Sequence, residues 1–169
     1  NISYLNKKNK KKNILILNNN LILLKELKIF FLQIKELINI FFNKKKFKNV
    51  NLKKITFSLF SYETKHAIRI FYLLENLLTK IKPDTVITTF EGFPWERMVF
   101  KSAKNFSNDT KTIGYQNIFL TKNYKSIFYK LNNGYDPDCI WLSGIIPKKL
   151  FESSELKNKQ LKIVGKLNN

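Results

Sequence analysis

Cysteine, histidine and methionine each occur once in this 169-residue chain, proline four times and glycine five times. A lone Cys139 excludes an internal disulfide and a cysteine-built zinc site. His66 is the one histidine, so any Ser-His or Cys-His scheme has to pass through it. Neither phosphate-binding glycine signature occurs, that of the dinucleotide folds or that of the P-loop, and there is no zincin helix motif. Acidic residues are scarce: 12 Asp plus Glu stand against 31 Lys plus Arg, for a net charge of +19.

Hydrophobic residues make up 44% and aromatics 14%, enough to bury the core of about one domain. Of the cations, 29 are Lys and 2 are Arg; together with 21 Asn and 20 Ile this is the usage of AT-rich codons. A surface that reads phosphates and base edges more often uses Arg, whose planar fork fits both. The charge therefore points first to base composition and second to nucleic acid, although lysines attract anionic lipids and sugar phosphates. Residues 1–60 carry +12 of the total, with basic runs at 7–12 and 44–48. These read as a solvated, disordered lead (1–12) and a loop between helices, ahead of adhesion to the anionic inner face of a membrane.

Ile14–Leu17 is a short candidate strand, followed by the turn-prone Asn18, Asn19 and Asn20. From Leu21 to Phe42 apolar residues recur at helical spacing, at Leu24, Leu27, Phe31, Ile34, Leu37 or Ile38, and Phe41. Lys25, Glu26, Lys28, Lys35 and Glu36 interrupt this stretch, so it reads as a helix and not as a membrane anchor. Ile55–Phe60 leans towards strand. His66–Ile81 returns to the helical period and stops at Lys82, Pro83 and Asp84.

Strands are then expected at 85–90, 112–115, 138–142 and 161–164. Helices are expected from Pro94 to Lys104 and from Pro147, with a helical turn at 126–129. Short, continuously apolar strands alternating with helices predict an α/β fold, a Rossmann-like parallel sheet with helices on both faces. Ligands of such sheets bind at the strand carboxyl ends.

Glu91 ends the first of these strands, Gly92 permits a sharp turn, and Pro94 suits the first helical position. A carboxylate there can take a proton from a hydroxyl or hold a polar substrate. The structural alternative is that Glu91 caps its own helix and Glu96 pairs with Arg97 or Lys101. Gly114, Tyr115, Gln116 and Asn117 end the second strand, and Ser143 and Gly144 the third. Cys139, inside a strand, reads as packing.

The run Phe90-Glu91-Gly92-Phe93-Pro94-Trp95-Glu96-Arg97, then Ile113-Gly114-Tyr115-Gln116, then Pro137-Asp138 with Gly144, resembles bacterial surface-carbohydrate and O-antigen biosynthesis proteins. These are related to glycosyltransferases with two Rossmann-like domains, the GT-B arrangement. The resemblance covers about residues 57 to 165. It departs from the family at Asn117, which stands where His is frequent. It implies an acceptor-side domain over 13–160, with Ile163-Val164-Gly165 opening a second, truncated domain over 161–169. It also implies transfer from a nucleotide-sugar to a glycan or lipid-linked acceptor, with no other cofactor and no metal. Glu91 is then the base that deprotonates the acceptor, and Glu96, Arg97, Tyr115, Gln116, Asn117 and Gly144 are the substrate-binding residues. The expected location is the cytoplasm, with peripheral contact to the anionic inner membrane. A basic nucleic-acid-binding module, suggested by the Lys and aromatic residues of 122–130, and a non-catalytic remnant of the transferase fold are the alternatives.

Overall fold

The computed structural model describes residues 2–4, 15–17, 21–43, 51–118, 120 and 125–165. The basic runs, the turn at Asn18–Asn20 and residues 122–124 lie outside them. Two short strands, β1 (Ile2–Tyr4) and β2 (Leu15–Leu17), pair antiparallel. Three helices follow: α1 (Leu23–Phe42), α2 (Leu52–Leu59) and α3 (Tyr62–Ile81). The second part alternates β3 (Thr85–Thr89), α4 (Pro94–Phe106), β4 (Lys111–Gln116), β5 (Cys139–Leu142), α5 (Ile145–Glu152) and β6 (Gln160–Ile163). A single 3-10 turn, Lys125–Phe128, lies between β4 and β5.

The strand reading of Ile55–Phe60 is corrected: this stretch is α2. Asn51 caps it, its side chain accepting the Lys54 N–H at 3.3 Å. Leu52, Ile55, Thr56 and Leu59 are the half-buried positions, a helical period that β-branched side chains at 55 and 56 obscure in sequence. The Thr56 hydroxyl donates back to the Leu52 carbonyl at 3.0 Å. α3 begins four residues earlier than His66, where Ser61 accepts the Thr64 N–H.

Strands β3-β4-β5-β6 form one parallel sheet in sequential order, an α/β Rossmann-like arrangement with flanking helices. Phe90, Ile140 and Leu142 on one face pack with Phe100 of α4 and Phe151 of α5 in the buried core. Gly114 lies beneath Phe90: a Cβ there would stand 2.8 Å from the Phe90 Cβ, so only glycine lets the ring cross the strand. On the opposite face Ile87 is 53% exposed, and Lys111, Gln160 and Lys162 are exposed too. Ile113 and Cys139, in register with Ile87 on that face, are buried, so its exposure lies at the outer strands and the strand ends.

At the amino edge, Asp138 accepts the Thr112 N–H at 2.8 Å and pairs with Lys104 at 2.8 Å. Burial pushes its pKa up, but the Lys104 and Thr112 hydrogen bonds outweigh that, and the carboxyl sits below its ordinary value. A depressed folded-state pKa gives stability that is present above the unfolded value and lost as pH falls through the folded one. Asp138→Asn should thus lower the thermal midpoint at neutral pH. The gap from wild type should shrink as pH falls below the ordinary aspartate value of 3.8 and on through the depressed folded-state one, where both forms become neutral. Melting curves across that range check it; a gap independent of pH would contradict it.

Candidate functional site

The carboxyl edge is built around the loop that joins β3 to α4. The strand ladder continues one residue past β3, the Phe90 N–H donating to the Tyr115 carbonyl at 2.8 Å. The chain then reverses at Gly92, whose φ of 94° belongs to the left-handed region. A Cβ on Gly92 would meet the Ser126 Oγ at 2.6 Å, because the 3-10 turn packs against this loop. Pro94 opens α4 with its φ preset and no N–H to satisfy.

Glu96 holds the loop from inside. It is fully buried, and its Oε2 accepts the N–H groups of Glu91, Gly92 and Phe93, each at 2.9 Å. Its Oε1 accepts the Thr89 hydroxyl at 2.7 Å. The carboxylate does the work of an N-cap for α4, next to the positive end of the helix. Neither expected pairing of Glu96, with Arg97 or with Lys101, is seen.

Arg97 is buried as well. Its guanidinium pairs with Asp136 and donates to the carbonyls of Ser126 (3.3 Å) and Tyr129 (3.0 Å). It also stacks over the Phe90 ring at 4.7 Å. Burial draws the guanidinium's pKa down, against the opposing pull of the Asp136 and Glu96 carboxylates. Arg97 thereby ties the 3-10 turn to α4.

Gln116 is buried between the ends of β4 and β5. It donates to the Ile118 carbonyl and accepts the Ser143 hydroxyl at 3.1 Å. The Tyr115 hydroxyl donates to the Gly165 carbonyl at 3.2 Å, and it stands 3.4 Å from the Asn117 side-chain oxygen. Of the residues expected to bind substrate, Glu96, Arg97 and Gln116 thus have their polar atoms engaged inside the protein, and Tyr115 bridges to the end of β6.

Asn117 and Gly144 do open on a cavity. It measures about 280 Å³, lies at the carboxyl ends of β4 and β5, and is also lined by Ile118, Leu120, Ser143 and Pro147. A Cβ on Gly144 would meet nothing within 4 Å, so the wall is open there. Register places Thr89 beside Tyr115 and Gln116 beside Leu142. Glu91 follows Phe90, the last residue of the β3–β4 ladder, at this same carboxyl edge, and is not among the residues that line the cavity.

Glu91 is half-buried. Burial and then the neighbouring Glu96 carboxylate push its pKa above the ordinary glutamate value. A carboxylate so placed holds a proton more tightly than a free glutamate, which suits a general base. His66 stands on α3, stacked on Tyr62 at 5.7 Å. A larger polar depression, about 490 Å³, opens at the amino edge, and its acids Asp136 and Asp138 are paired with Arg97 and Lys104. Among the described residues no three His, Cys, Asp or Glu side chains are grouped to hold a metal ion.

Sequence reasoning missed Asp136 and Thr89, the partners of Arg97 and Glu96. A signal for Thr89 lay in its spacing of seven from Glu96 across a Gly-Pro turn. None marked Asp136, which meets Arg97 over 39 residues.

Replacing Glu96 with alanine should cost about 2–3 kcal/mol, since buried donors without an acceptor cost roughly 1–3 kcal/mol each. The cost stays below the sum because Phe93 is 50% exposed and water can reach its N–H. Urea unfolding of Glu96→Ala beside Glu96→Gln measures it, with the amide variant keeping part of the stability. An alanine variant as stable as wild type would show that the loop holds itself.

Comparison with family models, with curated proteins and with solved structures finds no match. The class is defined by the fold, an α/β protein with a four-stranded parallel Rossmann-like sheet. No helix among the described residues is long and apolar enough to cross a membrane.

Proposed function

We propose that the chain is the acceptor-side domain of a GT-B-like glycosyltransferase of bacterial surface-polysaccharide synthesis. The observation that carries this reading is the place of Glu91, a half-buried carboxylate that follows the last ladder residue, Phe90, at the carboxyl edge of a parallel sheet. At that edge Asn117, Ser143 and Gly144 line a small cavity. Burial and Glu96 raise the proton affinity of Glu91. The resemblance in Glu91–Arg97 and Ile113–Gln116 supports the same place.

In the proposed reaction the acceptor hydroxyl gives its proton to a Glu91 oxygen. The acceptor oxygen, thus deprotonated, forms a bond to the anomeric carbon of a nucleotide-sugar as the bond from that carbon to the phosphate oxygen breaks, and the nucleoside diphosphate leaves with that electron pair. Asn117 and Ser143 supply hydrogen-bonding groups to sugar hydroxyls, while the apolar walls from Ile118, Leu120 and Pro147 exclude water. Glu96, Arg97 and Gln116 act as positioning residues, fixing the loop and strand ends. The cytoplasm, where nucleotide-sugars are available, is the compartment this reading requires.

Amide NMR shifts during titration with a panel of mono- and oligosaccharides test it. The expected result is shifts clustered at Glu91, Asn117, Ser143 and Gly144. Shifts confined elsewhere, or a response to oligonucleotides at these residues and to no saccharide, would overturn it.

A further inference from the structure

Helix α1 turns a mixed side inward, with Leu32, Leu37 and Ile40 half-buried, and leaves a second apolar side out. Towards α2 and α3 it places the buried Ile29 and Gln33, and the Gln33 amide donates to the Leu59 carbonyl at 2.7 Å. Glu26 pairs there with Arg69 and Lys65, and Lys25 donates to the Asn76 side chain at 3.3 Å. The other side carries Leu24, Leu27, Phe31, Ile34, Ile38 and Phe41, alternately three and four residues apart. Leu24 is 75% exposed, Phe31 64% and Ile38 50%. Phe42 and, on α2, Phe57 are more exposed still. A groove of about 490 Å³ lined by Phe41, Leu52, Thr56, Phe57 and Phe60 continues the surface between the two helices. Scattered exposed apolar residues are normal on a protein surface; a contiguous stripe along a 20-residue helix is not.

We propose that this face docks on an anionic lipid surface, with α1 lying in the plane of the headgroups. Charge selects the occupant. At 100° per residue, Lys28 and Lys35 flank the stripe, whereas Glu26 and Glu36 fall on the side away from it. α2 adds the exposed Lys53 and Lys54. Two copies of such a face would oppose lysine to lysine, while anionic headgroups neutralise them. Lysine stems lie along the apolar surface and carry their ammonium groups to the phosphates, with the Phe and Leu side chains entering the acyl boundary. The inference is independent of the sugar chemistry, since none of these residues belongs to the carboxyl-edge site.

Sedimentation with vesicles of phosphatidylcholine, with or without phosphatidylglycerol, tests it. Wild-type chain should bind the anionic vesicles at least roughly tenfold more tightly than the neutral ones. Leu24→Gln/Phe31→Gln/Ile38→Gln should lose roughly tenfold or more on the anionic vesicles, because the buried apolar area is gone. Lys28→Glu/Lys35→Glu should lose the preference for anionic lipid. Circular dichroism checks that each variant keeps wild-type helix content, and the lysine variant, which keeps every residue of the apolar stripe and gives up the Lys28 ammonium's place 5.3 Å from the Tyr72 ring centroid, decides the matter if the first does not fold. Three results would overturn the proposal: no vesicle binding by a wild-type chain that self-associates through these residues, no binding by a monomeric one, or binding that neither variant changes.

Discussion

Replacing Arg97 with alanine should lower the stability of the protein by about 3–5 kcal/mol, the cost of breaking one side of a buried ion pair. The side chains of Arg97 and Asp136 are only 6% and 3% exposed, so the carboxylate left behind has no water to replace its partner. The carbonyls of Ser126 and Tyr129 lose their donor at the same time, and the Phe90 ring loses the guanidinium stacked on it. Arg97→Lys keeps the charge but not the fork that reaches both sides, and should recover only part of the loss. Asp136→Ala should cost about as much as Arg97→Ala, because it strands the guanidinium and also takes the acceptor from the Leu131 N–H. The double variant Arg97→Met/Asp136→Leu should fall well short of the sum of the single losses, as no uncompensated charge remains. Urea unfolding with a common slope measures all four. An Arg97→Ala protein within about 1 kcal/mol of wild type, the range of an exposed pair, would contradict the buried-anchor account.

Glu91→Gln should reduce sugar transfer by roughly 10²–10⁴-fold, because the amide still accepts a hydrogen bond but cannot take the acceptor's proton. Stability should not fall with it. Glu91 has its pKa raised by burial and by Glu96, so its ionised form opposes folding at neutral pH, and removing the charge relieves that opposition. A thermal midpoint equal to or above wild type, together with the loss of rate, separates a base from a structural residue. Equal loss of rate in a protein that has lost its fold would count against the assignment, and so would full activity in a folded one.

Where the sequence was legible, one local signal sufficed. Pro94 after Gly92 marks the start of α4, and the short apolar runs mark β3, β4 and β5, since strands in a parallel sheet need apolar residues on adjoining positions. α2 was not legible because the branched Ile55 and Thr56 favour a strand locally, while the helix comes from the Asn51 cap and from packing on α1 and α3. For α1 the period gave the helix but not its orientation: the protein side is chosen by Ile29, Gln33 and the Glu26–Arg69 pair, across 43 residues of chain. At the site, Glu91, Asn117 and Gly144 were legible as positions at strand ends. The inward turn of Glu96, Arg97 and Gln116 was not, because it depends on main-chain groups that converge only after Gly92 reverses the chain and β5 joins β4.

In the proposed reaction Glu91 takes the acceptor's proton. The pH profile of sugar transfer tests it most directly, measured as nucleoside diphosphate released from a nucleotide-sugar in the presence of a glycan acceptor. The account predicts that the wild-type rate climbs with pH as Glu91 ionises, with its midpoint above the 4.5 of an ordinary glutamate, and that Glu91→Gln abolishes this rise while unfolding at the same temperature or higher. A folded Glu91→Gln protein that keeps both the rate and the rise would contradict it.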